Sequence, residues 1–271
     1  DLHSFPTRRS SDLLSSKVVL PANFTADELK HMREAGKILA GLYRDVRREV
    51  KVGVTGRQLN DWFAREIKAR GAHATYLDPD VNFPGVVCIS VNDMVVHGVP
   101  NDNPLAEGDV VSFDLVIDVG GMKADSAFTM LTDDAQPTGA KKLLLSTTER
   151  SLYAGIDAIK GAVRTGDIGS AVEKVLDKAH LGVVKDLVGH GIGRTMHEEP
   201  DIPNYGRRHT GMLVPVGNAI AVEPMATLGS WRVVQDDPDG WGIRTRDGSL
   251  AAHFEHTLLL TDGAPEIITK L

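Results

Sequence analysis

The chain has 271 residues, of which 42% are hydrophobic and 25% are charged, which is enough for one large core or two fused lobes. A net charge of −7 and a pI of about 5.8 argue against nucleic acid or an anionic membrane as the main partner. Cys88 is the single cysteine, which excludes an intrachain disulfide and fits a reducing cytosol. No apolar run approaches the roughly 18 residues of a membrane helix, and no signal peptide is evident. These features predict a cytoplasmic protein.

The N-terminal segment DLHSFPTRRSSDLLSS is mostly polar and aperiodic. It predicts a disordered tail over residues 1–20, followed by a single domain over residues 21–271.

Four amphipathic helices are predicted from capping signals and helical spacing of apolar residues. Thr25 with Glu28, and Thr55 with Gln58, have the spacing of capping boxes at the start of the first two helices. Gly71 is expected to end the second helix. The apolar positions that mark the third and fourth helices are Leu145, Leu152, Ile156 and Ile159, then Val172, Val175, Leu176 and Ala179.

Strand-like runs cover residues 86–91, 110–119, 127–131, 220–225 and 251–260. The 110–119 run is apolar on both faces, which is typical of a buried strand. It is followed by two glycines that predict a tight hairpin turn.

That hairpin would place Val116 opposite Asp125. Asp114 shares a face with Val116, because side chains alternate along a strand. Asp114 and Asp125 would then be diagonal neighbours, within reach of shared metal ions. Buried carboxylates this close repel one another unless a cation neutralises them. For either aspartate taken singly, a solvent-facing position is the commoner arrangement.

Two segments repeat the same pattern of glycine, polar residue, apolar run and carboxylate: GDVVSFD (108–114) and GNAIAVE (217–223). HGVP (97–100) and HEEP (197–200) form a second matched pair upstream. GVTG (53–56) and GDIG (166–169) precede similar helical patterns, although common amphipathic patterns also match by coincidence. The repeats predict an α+β architecture of two halves around a pseudo-twofold axis, with an antiparallel sheet inside and helices outside.

The remaining candidate site residues are unremarkable when each is taken alone. Glu223 fits an edge strand and Glu255 fits a solvated strand face. His190 lies among glycines that permit a tight turn, where a loop histidine is common. His97 and His197 stand out only through their matched positions. The glycines around His190 lack the spacing of a phosphate-binding loop, and no nucleophile elbow of the G-x-S-x-G kind is present.

Taken together, these segments resemble the type I methionine aminopeptidases, which have the pita-bread fold. The resemblance runs from about residue 25 to residue 271. Its motifs are CISVNDMVVHGVP (88–100), GDVVSFDLVIDVGGMKADSAFTM (108–130), GHGIGRTMHEEP (189–200), AVEPM (221–225) and FEHT (254–257).

The resemblance implies two divalent metal ions and five metal ligands. The implied ligands are Asp114, Asp125, His190, Glu223 and Glu255. In this family pattern Asp125 and Glu255 bridge the ions, Asp114 holds one, and His190 with Glu223 holds the other. An oxygen-rich set of this kind suits Mn²⁺, Fe²⁺ or Co²⁺ more than structural zinc.

The reaction implied by the resemblance is removal of an N-terminal methionine, with a small second residue, by a hydroxide that two metal ions activate. Glu223 would accept its proton. His197 would stabilise the oxyanion and His97 would bond the scissile amide.

Phe83, Cys88 and Trp241, with Met196 nearby, would line the methionine pocket by the same resemblance. The family often has Tyr where Phe83 stands, so one polar contact is expected to be missing. The alternative is that Phe83 and Trp241 are simply core aromatics.

The expected partners are peptides and nascent polypeptides, with ribosome association left open, no nucleic acid, no membrane and a monomeric state. Three rival assignments fit the sequence less well. Proline-specific peptidases of this fold usually carry a large extra N-terminal domain, and type II methionine aminopeptidases usually carry an insertion. A non-catalytic relative would have lost its metals, which the intact ligand set argues against.

Overall fold

The computed structural model describes residues 17–235 and 238–270. In this part of the chain the α-helices are α1 (Ala26–Val46), α2 (Gly56–Ala69), α3 (Gly139–Asp157) and α4 (Thr165–Lys178), and short 3₁₀-helices cover Thr75–Leu77 and Thr132–Asp134. The strands are β1 (His73–Ala74), β2 (Cys88–Val91), β3 (Met94–Val96), β4 (Val110–Val119), β5 (Met122–Leu131), β6 (Val163–Arg164), β7 (Gly182–Val183), β8 (Gly189–Gly191), β9 (Glu198–Ile202), β10 (Leu213–Val214), β11 (Ala219–Val222), β12 (Met225–Thr227), β13 (Val233–Val234), β14 (Ile243–Thr245), β15 (Ala251–His253), β16 (His256–Leu259) and β17 (Glu266–Ile267).

Both predicted capping boxes are confirmed. The Thr25 hydroxyl accepts from the Glu28 amide while the Glu28 carboxylate accepts from the Thr25 amide, and Thr55 with Gln58 repeats this arrangement. Each box satisfies amide groups that would otherwise lack a partner in the first helical turn. Gly71 follows α2 with a φ of +73°, as its predicted role at the helix end requires.

The Glu28 carboxylate has a second role, because it also accepts hydrogen bonds of 2.6 and 2.8 Å from Arg194. This contact, and then the bond from Thr25, lower the pKa of Glu28 from 4.5 to about 2. Because the pKa of Glu28 is lower in the folded chain than in the unfolded chain, its ionised carboxylate stabilises the fold above pH 4.5. This stabilisation is lost as the pH falls towards 2. Glu28→Gln keeps a capping oxygen but loses the charge, so we expect a lower thermal midpoint at pH 7 and a difference from wild type that narrows towards pH 2.

Thermal unfolding followed by circular dichroism between pH 2 and pH 7 measures this effect. Asp27→Asn, which removes a carboxylate from the same helical turn, is the control. A Glu28→Gln difference that stayed constant with pH would contradict the role of the charge.

The predicted hairpin is confirmed residue by residue. β4 and β5 pair along their whole length, with Val116 opposite Asp125 and Asp114 opposite Ala127. Gly120 and Gly121 make the turn with φ values of +60° and +85°, which glycine adopts without steric cost. β5 begins at the turn rather than at residue 127, because each residue after the turn continues the ladder.

Two of the predicted strands are each split in the structure. The run 220–225 divides into β11 and β12 around Pro224, which has no amide hydrogen to donate. The run 251–260 divides into β15 and β16 directly opposite that break, because β11 pairs with β16 and β12 pairs with β15. Glu223 and Glu255 lie at these two breaks.

The two halves of the chain repeat as predicted, with one correction. Gly56 and Thr165, which begin α2 and α4, are separated by the same number of residues as Val110 and Ala219, which begin β4 and β11. The sequence had matched Gly56 with Gly169, which is about one helical turn further along α4. A slip of one turn leaves apolar residues on the same helical face, so helical periodicity alone does not detect it.

Antiparallel sheets form the interior and the helices cover them. β4 pairs with β1, β2 and β5 in one half, and the order β17-β16-β11-β8-β9 forms the largest sheet of the other. α1 packs against β4 and β5, whereas α3 packs against α4 and against β11, β12 and β15. The α+β prediction is therefore confirmed. Among residues 17–235 and 238–270, no helix combines the length and apolar character that crossing a membrane requires.

Side-chain hydroxyls join β5 of the first half to residues 253–257 of the second. Thr257 donates to the Asp125 carbonyl and accepts from the Asp125 amide, at 2.8 and 2.9 Å. Ser126 donates to the Glu255 carbonyl at 2.8 Å. The main chains of Asp125 and Glu255 are thus each held by a side-chain hydroxyl from the opposite half. We call these bonds the inter-half bridges.

The described domain begins before the predicted boundary at residue 21. Lys17 and Val19 exchange main-chain hydrogen bonds of 3.0 and 2.9 Å with Leu213, and Val19 is buried. Residues 1–16 of the predicted tail lie outside the described residues.

Candidate metal centre

All five predicted ligands line one cleft. The hairpin β4–β5 supplies Asp114 and Asp125, and β8 supplies His190. Glu223 and Glu255 come from the breaks that follow β11 and β15. Both halves of the chain therefore contribute carboxylates to the cleft, as the repeat predicts.

Two carboxylates of the cleft lie close to the His190 ring. Its Nε2 lies 3.7 Å from Asp125 Oδ2 and 3.6 Å from Glu223 Oε1. One ligand atom from each of Asp125, His190 and Glu255 lies within 4.8 Å of the other two. A single cation placed among them could contact all three side chains.

The carboxyl groups of the cleft are costly to ionise without a cation. Burial raises the pKa of Asp114, and it raises the pKa values of Asp125, Glu223 and Glu255 well above their usual range. Neighbouring carboxylates add to this effect, with Asp114 and Glu223 raising the pKa of Asp125. A bound divalent ion would reverse the balance, because it favours the ionised form.

The donor set fits a divalent metal ion. His190 Nδ1 lies 2.9 Å from the Gly191 carbonyl, which can only accept, so Nδ1 carries the hydrogen. Burial lowers the pKa of His190 to about 3, which leaves a lone pair on Nε2 facing two carboxylates. Within the described part of the chain, the buried atoms Asp125 Oδ1 and Glu255 Oε1 have no hydrogen-bond partner. Nitrogen and oxygen lone pairs that converge in this way form a donor set that a divalent cation binds well.

Tyr76 contacts one of the predicted ligands and was missed in the sequence. Its hydroxyl donates a 2.7 Å hydrogen bond to Asp114 Oδ1. A lone tyrosine in a loop carries no periodic signal, so nothing in the sequence could assign its hydroxyl to a particular carboxylate.

His253 was also missed, although a signal for it existed. It precedes Glu255 by two residues, and strand periodicity places such residues on one face. Its Nε2 lies 3.5 Å from Glu223 Oε2, and its side chain is fully enclosed.

His97 and His197 line the same cleft as the five ligands. The His197 ring lies 4.3 Å from the His190 ring and is nearly perpendicular to it. Burial lowers the pKa of His97 to about 3 and that of His197 to about 4. Both are therefore neutral at pH 7, and each ring carries one N–H donor and one acceptor.

Phe83, Cys88 and Trp241 lie together in an apolar cluster beside the cleft, with Tyr76, Val116 and Met196. The Phe83 ring is 5.2 Å from the Trp241 ring in an edge-to-face arrangement. Cys88 lies opposite Asp114 across β2 and β4, which brings the cluster next to a predicted metal ligand. Burial raises the pKa of the Cys88 thiol, so this wall of the cluster is uncharged.

Comparison with known proteins agrees with this geometry. The model of metallopeptidase family M24 matches residues 30–262. The chain is 36% identical over 251 residues to methionine aminopeptidase 1 of Bacillus subtilis, covering 91% of this chain and 98% of that protein. It is 37% identical over 261 residues to methionine aminopeptidase B of Synechocystis, covering 94% and 93%.

Solved structures give the same result. The crystal structure of methionine aminopeptidase from Rickettsia prowazekii superposes with a TM-score of 0.88 at 35% identity, covering 92% of this chain and all of that one. The prolidase from Pyrococcus furiosus shares the fold with a TM-score of 0.73 at 19% identity, and this chain covers only 65% of it. The fold is the pita-bread fold that these peptidases share, and the chain belongs to metallopeptidase family M24, within the group of methionine aminopeptidases.

Proposed function

We propose that this protein removes the N-terminal methionine from peptides and proteins whose second residue is small. The observation that carries the proposal is the buried group of Asp125, His190 and Glu255, which lines a cleft. One oxygen of each carboxylate has no hydrogen-bond partner among residues 17–235 and 238–270. Methionine aminopeptidases from several bacteria are similar along nearly the whole chain, which supports the same reaction.

The five ligands would hold two divalent ions, with Asp125 and Glu255 serving both. Asp114 would complete one site, and His190 with Glu223 would complete the other. When bound, ions of the Mn²⁺, Fe²⁺ or Co²⁺ type supply Lewis acidity, which lowers the pKa of water and polarises a carbonyl group.

The chain's own residues would then position the peptide and move protons. Glu223 is a carboxylate that can accept a proton from the attacking water and return it to the leaving amine. His197 and His97 are neutral N–H donors, suited to the developing oxyanion and to the scissile amide. A small second residue is expected, since it must fit between the ligands and His97.

Removal of metal is the direct test. A chelator should abolish turnover of a Met-Ala-Ser peptide, and Mn²⁺, Fe²⁺ or Co²⁺ should restore it. The reason is that the proposed reaction depends on the Lewis acidity of ions held by the four carboxylates and His190. Peptidase assays with each metal in turn measure this, with an Xaa-Pro peptide as the specificity control. Full activity in metal-free protein, or preference for the Xaa-Pro peptide, would sink the proposal.

The apolar cluster of Phe83, Cys88 and Trp241 would receive the methionine side chain. A thioether gains from contact with aromatic rings, whereas a charged or β-branched side chain would not fit. Trp241→Ala should therefore lower the preference for Met-Ala over Leu-Ala peptides by about tenfold, a typical consequence of losing one apolar contact.

Competition assays with Met-Ala, Met-Leu, Leu-Ala and Lys-Ala peptides give the ratios of kcat/KM. Trp62→Ala is a matched control, because Trp62 lies on α2 and packs on Phe63. If Trp241→Ala keeps the wild-type preference, Trp241 is a core aromatic and not a pocket wall.

Three further expectations belong to this proposal. Nascent polypeptides are the proposed substrates in the cell, since newly made chains carry the methionine, and association with the ribosome would bring the protein to them. A cytoplasmic location and a monomeric state complete the proposal. Sedimentation of the protein with and without ribosomes, and its mass by light scattering, test the ribosome contact and the monomer.

A further inference from the structure

His253 is a buried histidine that the five-ligand proposal does not use. The residue is 1% exposed, and neither ring nitrogen has a hydrogen-bond partner among the described residues. Its main chain, by contrast, is firmly held. Thr129 Oγ1 accepts from the His253 amide at 2.9 Å and donates to the His253 carbonyl at 2.8 Å. The backbone therefore fixes an imidazole at a place where its polar atoms have no hydrogen bond.

The ring of His253 faces the carboxylate of Glu223. Its Nε2 lies 3.5 Å from Glu223 Oε2, while Glu223 Oε1 lies 3.6 Å from His190 Nε2. The carboxylate thus stands between two imidazoles, one on each oxygen. The β12–β15 pairing explains this placement, because Met225 lies opposite His253 and Glu223 precedes Met225 by two residues.

A carboxylate in this position needs something to fix its orientation. The last torsion of a glutamate side chain has a broad energy profile, so Glu223 can rotate its oxygens unless a donor holds one of them. The His190 Nε2 lone pair cannot do this, because His190 donates through Nδ1 to Gly191. His253 can, since a neutral imidazole always carries one N–H.

We propose that His253 is a positioning residue for Glu223: its Nε2–H donates to Glu223 Oε2 and so directs Oε1 towards His190 and the metal site. The inference rests on the role proposed above for Glu223. The separation of 3.5 Å exceeds that of a formed hydrogen bond, and such contacts are commonly long before a ligand binds. Outer partners of this kind typically change metal affinity or activity by about 10–100-fold.

Two substitutions separate donation from packing. His253→Gln retains an N–H donor of similar reach, whereas His253→Leu fills a similar volume without a donor. We expect His253→Leu to lower kcat on Met-Ala-Ser by about 10–100-fold with little change in KM. The affinity of metal-free protein for Mn²⁺, measured by calorimetry, should fall about tenfold or more. His253→Gln should recover most of both losses.

His256→Leu is the control for loss of a partly buried histidine from the same segment. His256 bonds Thr269 and packs on Tyr153, away from Glu223, so its loss should lower the thermal midpoint without the change in Mn²⁺ affinity. If His253→Leu does not fold, His253→Asn replaces it, because its amide cannot reach as far as Nε2.

The inference is overturned if His253→Leu matches wild type, or if His253→Gln loses as much Mn²⁺ affinity as His253→Leu. The first result would make His253 a packing residue, and the second would require the imidazole itself. Failure of the proposed function is distinguishable, because wild-type protein would then show no metal-dependent turnover, while the Mn²⁺ affinities of the variants would still be compared.

Discussion

Asp125→Asn is expected to abolish metal-dependent turnover. Loss of an outer partner of a metal ligand commonly costs about 10–100-fold, so loss of a carboxylate that serves two ions should cost more than about 100-fold in metal affinity. An amide has nearly the same shape as the carboxylate but carries no charge. His190→Ala should cost less affinity, because His190 would contact one ion only. Calorimetric titration with Mn²⁺ gives both values.

The same substitution should not unfold the protein. Burial, together with Asp114 and Glu223, raises the pKa of Asp125, so its ionised form opposes folding once the pH exceeds the unfolded value of 3.8. Metal-free Asp125→Asn should therefore be at least as stable as metal-free wild type at pH 7, and this advantage should vanish below about pH 3.8. Asp118→Asn, in the same hairpin but paired with Lys123, is the control. Greater loss of affinity in His190→Ala than in Asp125→Asn would refute the bridging assignment.

Replacing His97 or His197 by Ala is expected to lower kcat by about 100-fold, a typical result of removing one transition-state donor. Both rings line the cleft, and the lowered pKa of each keeps it neutral at pH 7. Because neither belongs to the proposed ligand set, the bound metal content should stay at the wild-type level.

Steady-state kinetics and metal analysis of the same samples test this pair. His180→Ala, at the end of α4 and outside the cleft, is a control for general effects of losing a histidine. Unchanged kcat, or loss of bound metal, would remove the residue from this role.

Local rules predicted much of the fold. The two capping boxes follow from a threonine three residues before Glu or Gln. The β4–β5 register follows from the Gly-Gly turn, which fixes which residues of the two strands lie opposite each other. The hairpin in turn fixed Asp114 and Asp125 as neighbours. The other three ligands required the resemblance to a known family, because an isolated Glu255 fits a solvated strand equally well.

The parts that the sequence did not predict depend on contacts between distant segments. The break of the 251–260 run lies beside Pro224, which is remote in sequence and meets it only through the pairing of β12 with β15. Tyr76 reaches Asp114 because β1, which lies just before it in the chain, pairs with β4. His253 gave a periodic signal, but its neighbour Glu223 lies on a segment remote in sequence, which meets it through the pairing of β12 with β15.

The inter-half bridges have a consequence for how the molecule stays assembled. Thr257 and Ser126 tie the main chains of Asp125 and Glu255 across the boundary between the halves. Cations shared by the Asp125 and Glu255 side chains would add a second link between the two halves beside these bonds. Thermodynamic reciprocity then applies: the factor by which occupied sites strengthen the joining of the halves equals the factor by which joined halves strengthen occupancy. A substitution that weakens the contacts between the two halves, even far from the cleft, would therefore lower the affinity for metal.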